Sequence, residues 1–334
     1  LRYKFTDDQR KLQDVVGFIS ETPSLIIPNF QLHGSQLFVG NFINPNTTFK
    51  TLLINWKTGA GKSDAANIIG IYFAKHYKMY THILPKDRPG VFIIAFTHHI
   101  LLSELLKHPE LGYITNKELR YIQTLKTHIQ EGRIEPVILS RFMSGIHRRL
   151  TNKLKDGYFR FYGYKEFANR LFSLSVKAIE AKIDIKSIFD AAAGSRNSSD
   201  YMQSEIDKGT LVVNKKLLNE LKNGLIVADE VQRLYNKRSK NEYGIAIQFV
   251  FDVLKDEAPR GIFMSATPIS SSATEIVELL NLLVTPKNDH FTKDEFFIPN
   301  SNPTQLQPGA KEKIKLLMTG RVSFLMDSDV ASYP

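Results

Sequence analysis

The sequence predicts an α/β fold, a parallel β-sheet flanked by helices with a long, mostly helical insertion. Three observations predict it. Short apolar runs of strand length recur between stretches of helical period, the pattern of a sheet covered on both faces. One run empties into a glycine-rich turn followed by a helix, and another ends in two adjacent carboxylates. In parallel α/β sheets, ligands bind at that C-terminal edge of the strands.

Taken in order, Thr51–Trp56 (TLLINW) reads as a buried strand, and Lys62 to about His76 as the helix after the turn. Val91–Phe96 (VFIIAF) is the second strand, followed by ILLSELLK with helical spacing. Leu225–Ala228 and Gly261–Met264 are the third and fourth, with a helix over Asn241–Lys255 between them and another over Ala273–Leu283. Residues of about 106 to 215 are too many for a single crossover. They hold helical stretches at Asn116–Gln130 and Lys165–Ala181, so an inserted subdomain or an elaborated connection is expected there. Within it, AAAGSRNSSD (191–200) reads as a loop, and Pro286–Gly309, rich in Pro and Asn, as an interdomain linker.

Composition bounds the function. The chain has 334 residues, 44 Lys+Arg against 34 Asp+Glu and a net charge of +10. That length allows two domains, or one large domain with an insertion. With 43% hydrophobic and 23% charged residues it sits in the globular range, which excludes wholesale disorder. The absence of cysteine excludes disulfides, thiolate-bound zinc, iron–sulfur clusters and cysteine nucleophiles. The longest apolar runs fall far short of the roughly 20 residues of a membrane span, so no membrane partner is expected. The opening LRYKFTDD lacks a signal-peptide shape, and a chain that starts on Leu1 is expected to be a piece of a longer protein. The basic excess suits a polyanionic partner such as nucleic acid, although charge on this scale also serves solubility.

The strongest motif is WKTGAGKS (Trp56–Ser63), set between strand and helix. Gly59 and Gly61 permit backbone conformations that a Cβ would block. The loop Thr58-Gly59-Ala60-Gly61 can then aim successive N–H groups, and the N-terminus of the next helix, at phosphate oxygens. Lys62 supplies a point charge to the β- and γ-phosphates of ATP, and Ser63 a hydroxyl to Mg²⁺. Trp56 stands where the usual GxxxxGK[ST] pattern has its first glycine. The second motif, GLIVADEVQRL (224–234), puts Asp229 where it can hold Mg²⁺ and Glu230 where it can orient and deprotonate a water. A strand ending in Asp-Glu is more commonly a solvated helix cap, so its weight comes from the phosphate loop upstream. In GIFMSATPIS (261–270), Ser265 and Thr267 can bond across the sheet edge to Asp229, Glu230 or Gln232.

In this order, WKTGAGKS, FTHHILLSELLK (96–107), DEVQ (229–232) and SAT (265–267) resemble motifs I, Ia, II and III of the first motor domain of superfamily 2 helicases. The flanks narrow the resemblance. QLFVGNFINPNTTFKTLLINWKTGAGKS (36–63), GYKEFANRLF (163–172), NGLIVADEVQRLYN (223–236) and GRVSFLMDSDVASYP (320–334) are similar to helicase-type ATPases of large cytoplasmic DNA viruses. The nearest groups are the poxvirus early transcription factor small subunit and nucleoside triphosphatase I, with counterparts in African swine fever virus. The resemblance implies a RecA-like motor domain over residues 51–285, with the insertion at about 106–215 and residues 1–50 leading into it. Residues 286–310 would be a linker and 311–334 the truncated start of a second motor domain.

It also implies ATP hydrolysis coupled to nucleic acid, with DNA the expected partner, in viral early transcription. Action in the host cytoplasm (the viral factory) and the virion follows, with a viral RNA polymerase or transcription factor subunit as partner. Gly59, Gly61 and Lys62 would contact phosphate, Ser63 and Asp229 the metal, and Glu230 would be the base. Gln232 would join Glu230, Lys62 and Asp229 in the catalytic set, Ser265, Ala266 and Thr267 would couple nucleotide state to the rest of the domain, and Gln36 would contact adenine. Gln232 stands where many relatives carry His. The second motor domain of this family supplies arginine fingers, which can be worth about 10³–10⁵ in rate. The chain by itself is therefore expected to bind ATP weakly and hydrolyse it poorly.

For nucleic acid, Thr97 matches the backbone-contacting position of motif Ia. Residues 141–172 form the densest basic and aromatic stretch, with Arg141, Arg148, Arg149 and Arg160 as candidate phosphate contacts. Because YFRFYGY alternates at strand period, half of its rings can equally be core. Three classes of function remain open: a nucleic-acid-dependent motor, an ATP-gated initiation subunit without strand separation, and a nucleotide hydrolase acting on a small molecule. The SAT-Pro motif and the basic stretch weigh against the last.

Overall fold

The computed structural model describes residues 33–96, 98–235, 241–285 and 289–325. In chain order its main elements are α1 (Gly34–Phe42), β1 (Thr51–Asn55), α2 (Lys62–Lys78), β2 (Val91–Ile94), α3 (His98–Leu105), α4 (Asn116–Gln130), α5 (Pro136–Thr151) and β3 (Phe159–Tyr162). There follow α6 (Tyr164–Leu171), β4 (Phe172–Leu174), α7 (Val176–Glu180), α8 (Ile185–Gly194), α9 (Ser198–Asp207), β5 (Leu211–Val213), α10 (Lys215–Leu221) and β6 (Leu225–Asp229). The chain continues through α11 (Glu242–Leu254), β7 (Arg260–Met264), α12 (Glu275–Leu283), α13 (Ala310–Met318) and β8 (Val322–Phe324).

Six strands form a wholly parallel sheet in the order β3-β2-β6-β7-β1-β8. This is the predicted α/β, RecA-like arrangement. Its central strands are apolar on both faces because both are covered: Leu52, Ile54, Ile93 and Val227 face a core shared with α1, α2, α3 and α5, while Leu53, Ile94 and Ile226 face one shared with α6, α8, α9, α11 and α12. Register matters most for the site. Asp229 lies opposite Met264, and Met264 opposite Ile54, so β1, β6 and β7 end at one level.

Several expectations change. The stretch Lys165–Ala181 is not one helix. Phe172–Leu174 pairs antiparallel with β5, and Ser175 then caps α7 by accepting from Ala178 N at 3.2 Å. Long-range pairing overrides local helical period here. Residues 191–200 are not a loop either, since α8 runs to Gly194 and the Asn197 side chain caps α9 by accepting from Ser199 N (3.0 Å) and Asp200 N (3.3 Å). The insertion also supplies the edge strand β3 of the main sheet. In the expected linker, residues 289–309 are fastened to the domain: Phe296 is fully buried, Phe297 pairs with Leu306, and His290 Nε2 lies 2.6 Å from Asp252 Oδ2. Beyond it, α13 leads into β8, which pairs parallel with β1. Through Leu325 the chain therefore adds an edge strand to this sheet, while residues 326–334 lie outside the described residues.

Candidate functional site

The phosphate loop follows from β1 directly. Gly59 and Gly61 adopt φ of +84° and +76°, the left-handed region that favours glycine. At Gly61 space is a second constraint, because a Cβ there would sit 2.2 Å from Gln36 Nε2. Gln36, on the first turn of α1, is buried against the loop: its Nε2 donates to Gly61 O at 3.2 Å and its Oε1 accepts from His33 N at 2.9 Å. Both ends of the amide are thus engaged with protein, and its evident work is to brace the loop. Trp56 is fully buried and donates from Nε1 to Ser323 Oγ at 3.0 Å, which ties the loop's entrance to β8.

Lys62 opens α2 and donates from Nζ to the carbonyls of Trp56 (2.8 Å) and Lys57 (2.9 Å). Burial lowers its pKa, against an upward pull from Asp229 and Glu230, which marks the two carboxylates as its electrostatic neighbours. Asp229 is raised, by burial first and then by the Glu230 charge. Thr58 and Gly59 are exposed, Ala60 is buried, and Ser63 lies half-buried in the first turn of α2.

Opposite the loop, β6 ends at Asp229 and Glu230 takes φ +56°, ψ +52°, a left-handed conformation in a non-glycine residue. Such backbone is held by its surroundings and concentrates at functional sites. Here a hydrogen-bonded chain holds it. Thr267 N donates to Ser265 Oγ at 2.9 Å, Ser265 Oγ donates to Gln232 Oε1 at 2.6 Å, and Gln232 Nε2 donates to Glu230 Oε2. Of the bonds open to the SAT segment, the one formed is therefore Ser265 to Gln232. Thr267 contributes its backbone, and its side chain is exposed.

Two tyrosines complete the frame. Tyr164 Oη, from the insertion, donates to Asp229 O, and Tyr235 Oη donates to Pro268 O. Tyr164 is 2% exposed, its pKa is pushed well above the usual value by burial, and its ring stacks on Tyr243 with centroids 5.9 Å apart. In the sequence Tyr164 is only one of a run of aromatics. Its role depends on β3 lying two strands from β6, which no local pattern encodes.

The proposed nucleic-acid residues do not gather at this site. Thr97 lies outside the described residues. Arg141, Arg148 and Arg149 are exposed on α5, which packs on the edge strand β3; β3 stands four strands from β1, about 19 Å at the usual spacing. Arg149 pairs with Glu118 at 2.9 Å. Arg160 is a structural fastener, bonded to the carbonyls of Thr151 (2.7 Å) and Phe159 (2.8 Å) and paired with Glu220 at 3.3 Å. Of the interleaved rings, Tyr158, Phe159, Phe161, Tyr164 and Phe167 are buried as core.

The donor set suits a nucleotide with Mg²⁺. Ser63 and Asp229 offer hard oxygen ligands beside a loop shaped for phosphate, and Mg²⁺ is commonly held by one or two such groups with phosphate and water. Among the described residues no cluster of three or more His, Asp or Glu forms an all-protein metal cage. None of the helices described is long and apolar enough to cross a membrane.

No family model matches the chain. Proteins of African swine fever virus, among them those of the Badajoz strain and a Namibian warthog isolate, are named early transcription factor large subunit homologs. They are 40% identical over 336 residues, which cover 95% of this chain. A protein of Acanthamoeba polyphaga mimivirus named as an ATP-dependent RNA helicase is 25% identical over 309 residues, 91% of the chain. The chain spans 29% of the length of the swine fever virus proteins and 24% of the mimivirus protein. The names of the former refer to the large subunit, where the sequence motifs resemble the small subunit and nucleoside triphosphatase I. By these likenesses the chain is similar to helicase-like and early transcription factor proteins of large DNA viruses.

Proposed function

We propose that the chain is the ATP-binding motor domain of a nucleic-acid-dependent ATPase, a helicase or translocase acting in viral early transcription. The observation that carries this reading is the chain of bonds from Thr267 through Ser265 and Gln232 to Glu230, facing the phosphate-loop lysine. In this reading the glycine loop and Lys62 bind the phosphates of ATP. Glu230 Oε1 takes a proton from the attacking water, while Gln232 holds Oε2 and so fixes the carboxylate's direction. Ser63 and Asp229 would hold Mg²⁺, which would supply positive charge to the phosphates. Ser265 passes the position of Gln232 to β7. DNA is the proposed nucleic acid, with a viral polymerase as partner and the host cytoplasm and virion as setting.

A second reading is favoured by the names of the more similar relatives: an ATP-gated initiation subunit that binds nucleic acid with little turnover. ATP binding and turnover of the protein extended through the second motor domain, measured with and without single- and double-stranded DNA, separate the two. Binding should be lost in Lys62→Ala and kept in Glu230→Gln. Turnover that rises with DNA and stops in Glu230→Gln supports the motor. Tight DNA and ATP binding without turnover supports the initiation subunit, and ATP affinity unchanged in Lys62→Ala overturns both.

A further inference from the structure

The N-terminal edge of the sheet, opposite the phosphate loop, holds a cavity of about 730 Å³. Lys50, just before β1, and Arg260, the first residue of β7, border it on one side. The end of α2 closes it with an aromatic wall in which the His76 and Tyr80 rings meet edge to face at 5.0 Å and Tyr77 and Tyr80 at 6.0 Å. Lys216 on α10 and Lys86 stand exposed on the remaining sides.

The charges in this cavity do not balance. Five Lys and Arg side chains line it against two carboxylates, Asp87 and Glu220. Glu220 is already committed to Lys153 and Arg160, each at 3.3 Å, and Lys222 is taken by Glu257 at 2.8 Å. Arg260 bonds to neutral carbonyls, those of Phe49 (2.7 Å) and Pro45 (3.1 Å), and Lys50 to the carbonyl of Asp256 (3.1 Å). Burial, then the Arg260 charge, lowers the pKa of Lys50 against an upward pull from Asp256, so the Lys50 and Arg260 charges are held close in a partly desolvated place, while the same two causes lower His76 and favour its neutral ring. Folding tolerates such an arrangement at a cost that a bound anion would offset.

We infer that this cavity is a second ligand site, taking a phosphorylated, ring-bearing small molecule of nucleotide size, with its phosphate among the cations and its ring against Tyr80 and His76. The volume lies within the range of about 300–1,000 Å³ that small-molecule sites occupy, and the lining combines an aromatic wall with a few charged groups, as such sites do. A nucleic-acid duplex is too wide for it. The site is independent of the phosphate loop, since the two stand at opposite ends of the same strands.

The test silences the loop first. In a Lys62→Ala protein, AMP and UMP are titrated by isothermal calorimetry, with inorganic pyrophosphate as a ringless probe. Both nucleotides should bind, at least tenfold more weakly once Lys50→Glu is added, and more weakly also in Tyr80→Ala. Because Lys50 makes a backbone contact, Lys216→Glu on the exposed rim is the second variant, and it should weaken binding several-fold with an unchanged urea midpoint. The site is overturned if neither nucleotide binds, if pyrophosphate binds and the nucleotides do not, or if both lysine reversals leave affinity unchanged.

Discussion

Replacing Tyr164 with Phe removes one oxygen from the centre of the molecule and leaves the ring stacked on Tyr243. That oxygen donates to Asp229 O from a side chain 2% exposed, so its loss takes the tyrosine donor from a half-buried carbonyl at the end of β6 and puts no polar atom in its place. An unsatisfied buried acceptor costs about 1–3 kcal/mol, more than the net worth of an ordinary hydrogen bond. With a urea m-value of about 3 kcal/mol/M for a domain of this size, the unfolding midpoint should fall by roughly 0.3–1 M at unchanged m. Equilibrium urea unfolding followed by circular dichroism measures this. A midpoint within about 0.1 M of the parent would refute the reasoning, because the hydroxyl would then be exchanging a protein acceptor for water without loss. The same change loosens the Asp229–Glu230 peptide, so under the proposed function kcat should fall while KM for ATP stays near the parent value.

Gly61→Ala should be worse tolerated than Gly59→Ala: both have positive φ, but only at Gly61 would the Cβ strike Gln36. Thermal melts should rank them so, and equal losses would show that Gln36 does not brace the loop. Lys153 is buried between Glu220 and Arg160, with Asp87 nearby, and burial pushes its pKa down to about 8. Below that pH both folded and unfolded chains carry the charge and the burial cost is complete. As pH rises from about 8 towards 10 the folded chain alone sheds its proton, so stability should rise relative to Lys153→Met, by up to about 3 kcal/mol; a flat difference between pH 7 and 9.5 would refute it. Charge reversal of exposed Arg141 and Arg148 should weaken DNA binding and flatten its salt dependence without a change in stability. Arg160→Glu should instead destabilise the fold, since it breaks the contacts to Thr151, Phe159 and Glu220.

Local chemistry in a local frame was legible in the amino-acid order. Apolar runs long enough for strands, the Gly-x-Gly-Lys-Ser turn and the Asp-Glu at a strand end are each written in a few consecutive residues, because buried parallel strands and phosphate-binding turns impose their requirements on neighbours in the chain. Tertiary structure decided the rest. Whether Ser265 meets Glu230 or Gln232 depends on the stagger of β6 against β7, and a shift of one residue would turn every side chain to the other face. Tyr164 reaches Asp229 only because the insertion returns as the edge strand β3, and Arg160 proved a fastener because Glu220 comes to it from sixty residues along the chain. The stretch 172–174 became a strand, against its helical period, through pairing with β5. Residues 311–325 read as the start of something new until β8 took its place beside β1. In each case the deciding partner is distant in sequence, and the energy that settles the outcome exists only once the chain has folded around it.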